Sequence, residues 1–138
     1  MIRPQILHTV GILLIMLGFS MSFSLGWSIY YAESDFISIL QALITTIISG
    51  SFLFFTFKSN NEVELSTRDG FAIVTLGWLA MVIFSALPFY FSGTLSYTNS
   101  FFEAMSGLTT TGATVLGHSA TLMIEDMPHG LLFWRSFT

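Results

Sequence analysis

Thr109-Thr110-Thr111-Gly112-Ala113-Thr114 puts four hydroxyls and a continuous row of backbone carbonyls into six uncharged residues. Such a row suits coordination of a dehydrated cation, with carbonyl oxygens replacing its hydration shell and a hydroxyl such as that of Thr110 adding a further ligand. Successive carbonyls face one axis only if some residue adopts backbone angles that a side chain disfavours, and Gly112 reaches them at φ > 0. Glu103 lies just upstream. It is either an ion ligand or, the preferred reading, a structural acceptor for a helix start or for backbone amides behind the loop. Gly107, beside Ser106, is read as a site of close helix packing, with Thr109 and Thr114 flanking the coordinating run. Other chemistry finds no support. The sequence holds no Ser-His-Asp order, paired-carboxylate helix, phosphate loop or metal motif, and His8, His118 and His129 lack ligand spacing. The expectation is a protein that is not an enzyme and carries no cofactor.

The elements that must hold this loop are apolar. The 138 residues are 53% hydrophobic and only 9% charged, with a mean hydropathy of +0.76. Soluble domains carry about a quarter charged residues, so the composition is that of a membrane protein. The net charge of -4 offers no basic stripe for nucleic acid. The chain has no cysteine, which excludes disulfides and thiolate metal sites.

Three runs are long enough to span a bilayer, which takes about 20 apolar residues. They cover residues 6–29, 36–57 and 71–91. The first could also be a signal peptide behind Arg3, but Trp27, Tyr30 and Tyr31 are too bulky for a cleavage site and read as an interfacial belt. The link holding Glu33 and Asp35 is so short that the first two spans must be antiparallel neighbours. Pro88 should kink or stop the third span. Arg3, Lys58 and Arg68 all fall on one side of these spans, so the positive-inside rule places the N-terminus in the cytoplasm.

Residues 92–127 then begin and end outside. Their apolar piece 101–108 is too short to cross and suited to dip in and return. Ser100 and Glu103 form a capping-box pattern that would set the start of this helix. Non-helical backbone at membrane depth is tolerated only when buried in protein or lining a watery cavity. The order span, short helix, Thr-Gly strand, span is therefore a pore-loop unit, and the short helix would direct its negative C-terminal end toward a cation. A further apolar run starts at Pro128 and reaches only Thr138, short of the roughly 17 residues a span needs, so the chain reads as an N-terminal piece. Within that run Arg135 is either functional or snorkelling to the interface. Glu125 and Asp126 are either a solvated loop or a means of raising cation concentration at the mouth.

Phe101-Phe102-Glu103-Ala104-Met105-Ser106-Gly107-Leu108-Thr109-Thr110-Thr111-Gly112-Ala113-Thr114 resembles the first filter loop of TrkH-type potassium uptake proteins, in the Trk/Ktr/HKT superfamily. Arg68-Asp69-Gly70-Phe71, Ala86-Leu87-Pro88-Phe89 and Leu131-Leu132-Phe133-Trp134-Arg135 add to the likeness. The resemblance implies an all-α integral membrane fold, with two leading transmembrane helices followed by span-loop-span units arranged pseudo-fourfold around one pore. On that plan residues 1–58 are the leading pair, 59–70 a cytoplasmic loop and 71–138 the first unit, incomplete in its last span. Thr110, Thr111, Gly112 and Ala113 would give the filter carbonyls, supported by Glu103, Gly107, Thr109 and Thr114. Thr114 stands where potassium channels carry a second glycine. The resemblance further implies potassium as the transported ion, a plasma (bacterial inner) membrane location, a homodimer of the full-length protein and a cytosolic TrkA-type regulatory subunit. The competing expectations are a non-conducting membrane anchor or assembly protein with an extracellular Thr-Gly loop, and a small tetrameric channel with one unit per chain.

Overall fold

The computed structural model describes residues 4–58, 65–117 and 124–138. Arg3 and His118, invoked above, lie outside the described residues, as do residues 59–64 of the 59–70 loop. The described residues form α1 (Pro4–Tyr31), α2 (Phe36–Thr56), α3 (Thr67–Ser85), α4 (Leu87–Phe91), α5 (Tyr97–Leu108), a 3-10 turn (Ile124–Asp126) and α6 (His129–Phe137). At 1.5 Å per residue, the 28 residues of α1 and the 21 of α2 are each long enough to cross a bilayer, as is the 25-residue stretch Thr67–Phe91.

α1 and α2 run antiparallel. His8 meets Phe54, Gly11 meets Gly50, Gly18 meets Ile47, and Ser28 reaches Asp35, so position rises along one helix as it falls along the other. Small residues permit this closeness. A Cβ on Gly11 would stand 2.8 Å from the Gly50 carbonyl oxygen, and one on Gly50 would stand 2.9 Å from Ile15 N. In a membrane, where lipid is as apolar as leucine, such backbone proximity is a main source of helix association. Large apolar side chains accordingly face outward, among them Phe19, Phe23, Ile48, Phe52 and Phe55.

The third span starts four residues ahead of its apolar run, because Asp69 Oδ2 accepts from Ser66 N at 3.0 Å and closes the first turn. The helix divides at Ala86, between α3 and α4, where Pro88, buried in the first turn of α4, has no amide to donate, although Ala86 itself still bonds Val82 and Tyr90. Trp134, fully buried on α6, donates from Nε1 to the Ser85 carbonyl at 2.9 Å beside that break. The core joins α1, α2, α4 and α6 through Leu14, Leu17, Met21, Ile39, Ala42, Phe89, Leu131 and Trp134. Val82, Ala86 and Ala104 make a smaller cluster where α5 meets α3.

Candidate ion-coordination loop

α5 begins at Tyr97, earlier than the Ser100/Glu103 pattern implies. Ser96 is the N-cap, and its hydroxyl accepts from Asn99 N at 3.4 Å. Ser100 is already one turn inside, bonding the Ser96 carbonyl at 2.9 Å. Glu103 is therefore no helix-start acceptor. Its carboxylate turns to tertiary partners instead.

Glu103 is only 4% exposed, and both its oxygens are engaged. Oε1 accepts from Thr114 Oγ1 at 2.8 Å and from Arg135 Nε at 2.6 Å; Oε2 accepts from Val115 N at 3.1 Å. One turn along the same face, Ser106 Oγ donates to the Ala113 carbonyl at 2.5 Å. Two side chains spaced i, i+3 on α5 thus pin residues 113, 114 and 115, which run back along the helix. Thr114 Oγ1 also accepts from Leu116 N at 3.1 Å, which extends the hold by one residue. A small cleft of about 180 Å³ is lined by Glu103, Ser106, Gly107, Gly112, Ala113 and Arg135.

The turn between helix and return strand is built by Thr110. Its φ of 55° is left-handed, and the amides of Thr110 and Thr111 bond the carbonyls of Gly107 and Ser106 at 2.9 Å each. This is the Schellman pattern that ends many helices, normally with glycine in the left-handed position. A β-branched residue there is a conformational outlier, of the kind that persists at functional sites when the surroundings over-determine it. Gly112 follows at φ 74°, so left-handed residues sit at 110 and 112. The sequence reading anticipates only the second; the sole signal for the first is the distance of Thr110 from the end of α5. Thr109, Thr111 and Gly112 are exposed, and the Thr109 and Thr111 hydroxyls lie 2.8 Å apart.

Gly107 faces the end of α6, where a Cβ would stand 3.0 Å from Thr138. Arg135 turns inward to Glu103 instead of outward. Glu125 and Asp126 form the exposed 3-10 turn, away from this cleft. Neither His8 nor His129 belongs to the loop: His8 stacks on Phe54, and His129 pairs with Glu33. The Glu33 carboxyl has a displaced pKa. Burial pushes it up, but hydrogen bonds from the His129 ring and backbone, with the attraction of the ring's charge, outweigh that and hold it below the usual 4.5. The arrangement can present a short row of uncharged oxygens on a strand anchored from behind; it offers no group placed for proton transfer or nucleophilic attack.

Comparison with known proteins bears on the fold as a whole. Residues 37–138 match the family described as TrkH, cation transport protein. The chain is 35% identical over 133 residues to the Trk system potassium uptake protein TrkH of Halomonas elongata, and 35% identical over 132 residues to that of Escherichia coli K12, covering 95% and 94% of this chain. It spans 26% of the length of each of these relatives. The crystal structure of the potassium transporter TrkH from Vibrio parahaemolyticus superposes with a TM-score of 0.84 at 30% identity, over 96% of this chain and 27% of that one. The three long apolar helices are thus arranged as in the matching part of that membrane protein, and the chain belongs to the TrkH cation transport family.

Proposed function

We propose that the chain forms part of the ion path of a potassium uptake protein, with Thr110, Thr111, Gly112 and Ala113 giving one of the carbonyl sets of its filter. The observation that carries the reading is the pinning of residues 113–115 to α5 by Glu103 and Ser106, next to a stretch with left-handed residues at 110 and 112. A filter carbonyl must be fixed before the ion arrives, because reorganising it on binding would forfeit the hydration energy it replaces. The Ala113 oxygen accepts from Ser106 and keeps its second lone pair for an ion. Potassium is favoured by the names of the relatives, Trk system potassium uptake proteins.

The filter set is completed by equivalent loops elsewhere in the pore, since one loop supplies one side of an axis. Lys58 and Arg68 flank the α2–α3 connection, which by the positive-inside rule supports a cytoplasmic side for it and for the N-terminus. The inside-negative potential then drives uptake, worth about 2.3 kcal/mol per charge per 100 mV. A homodimer with a cytosolic TrkA-type regulatory subunit completes the proposed assembly, on the strength of the family likeness. The test is Gly112→Val in the full-length protein, read as potassium or rubidium uptake in a strain lacking other uptake systems. Loss of uptake with normal membrane levels is expected; unchanged uptake overturns the filter assignment.

A further inference from the structure

The start of α6 is held by a segment remote from the loop. Pro128, its N-cap, has no side-chain acceptor for the free N–H groups of the first turn. Glu33, in the α1–α2 link, supplies one: Oε2 accepts from His129 N at 2.5 Å, and Oε1 lies 2.7 Å from His129 Nδ1. The imidazole is stacked on Tyr31, with ring centroids 4.1 Å apart and planes within 7°. Two residues further along the link, Asp35 is buried at 3% exposure. Its Oδ1 accepts from Ser28 Oγ at 2.5 Å, while its Oδ2, which has no hydrogen-bond partner among the described residues, abuts Gly130. Ser24 Oγ donates to the Gly130 carbonyl at 2.5 Å. The first two residues of α6 are thereby gripped by α1 and by the link.

A buried carboxylate oxygen without a donor is costly. What offsets it here is position: Asp35 stands at the positive ends of both α2 and α6. Six residues along α6, about 9 Å at helical rise, Arg135 reaches Glu103, which in turn holds Thr114 and Val115. A helix this short is stiff, so a shift at its outer end arrives at Arg135 undiminished.

We propose that the α1–α2 link is the outer anchor of α6 and that Glu33 and Asp35 are positioning residues for the ion path, acting through Arg135 and Glu103 without touching the ion. This rests on the filter reading above. A contiguous chain of bonds is not by itself coupling, so the experiment is a double-mutant cycle in the full-length protein, read as KM and Vmax for potassium uptake at matched membrane levels. Glu33→Ala is expected to raise KM about threefold or more with little change in Vmax, a size typical of coupling through packed elements. Glu33→Gln, which retains one acceptor oxygen, should restore part of the difference. Combined with Arg135→Lys, Glu33→Ala should raise KM by less than the product of the single effects. Glu125→Gln, an exposed carboxylate outside the chain of contacts, should multiply independently. Unchanged KM in Glu33→Ala, or independence from Arg135→Lys, overturns the proposal. Asp35→Asn adds a second variant on the buried side, and Glu33, partly exposed, decides the matter where Asp35→Asn fails to accumulate. Gly112→Val in the same assay separates the two readings: uptake lost there with Glu33→Ala silent overturns the anchor alone, whereas uptake retained there overturns the filter and the anchor with it.

Discussion

Arg135 Nε lies 2.6 Å from Glu103 Oε1, an ion pair in which the carboxylate side chain is 3% exposed and the guanidinium 29%. The two residues lie on α6 and α5, so the pair is a strut between the helix that backs the loop and the helix that follows it. Removing one member leaves the other partly desolvated and unpaired. Glu103→Gln and Arg135→Ala should each destabilise the protein by roughly 2–4 kcal/mol. The double variant should be less destabilised than the sum, because no orphaned charge remains. Denaturant titration of the full-length protein in mild detergent measures this, and additive effects would show that the two side chains do not act as a pair.

Gly112 and Thr110 share left-handed backbone but should respond oppositely to substitution. A Cβ on Gly112 would meet nothing within 4 Å, so the penalty for Gly112→Ala is conformational alone, about 1–2 kcal/mol. At Thr110, with φ 55°, the strained residue is the natural one. Thr110→Gly should stabilise the loop by up to about 1 kcal/mol while removing a hydroxyl from the proposed ion path. Higher thermal stability with impaired potassium uptake is the expected pairing. A loss of stability in Thr110→Gly would mean that its side chain, not its backbone, holds the turn.

What could be read from sequence was whatever depends on local pattern. The three spans, the antiparallel leading pair and the break near Pro88 follow from apolar run length, a short link and a missing amide. The beginning of α5 did not, since Ser96 and Ser100 are both plausible caps and only packing decides between them. The role of Arg135 was equally illegible, because snorkelling and inward pairing need the same residue at the same depth. Glu103, 32 positions away, settles it. Ser106, which holds the Ala113 carbonyl, reads from sequence only as a small neighbour of Gly107. Its contact crosses a turn whose shape depends on a threonine in a glycine's conformation.

Gly11 and Gly50 should be intolerant of any side chain. A Cβ on Gly11 would stand 2.8 Å from both Gly50 O and Phe54 N, and neither is the flexible end of a side chain. Either helix must move, which would also displace the α1–α2 link and with it the grip on α6. Gly11→Val or Gly50→Val should therefore lower both membrane accumulation and thermal stability. Gly26→Ala, where a Cβ meets nothing within 4 Å, should be silent. Comparable behaviour of the three variants would show that the crossing is not held by backbone proximity.

Acid should loosen the outer anchor in a direction fixed by Glu33. Burial alone raises its pKa, yet the bonds from His129 and the attraction of its ring leave the carboxyl below its ordinary 4.5. A group whose folded pKa is depressed contributes stability that is fully present above the unfolded value and is lost as pH falls through the folded one. The neighbouring groups are Tyr31, stacked on the His129 ring, and Asp35, held by Ser28. The stability difference between the natural protein and Glu33→Gln should therefore shrink as the pH falls below about 4.5. Thermal unfolding of both proteins across the acid range measures that difference. If it grows on acidification, burial outweighs His129, and Glu33 strains the anchor instead of holding it.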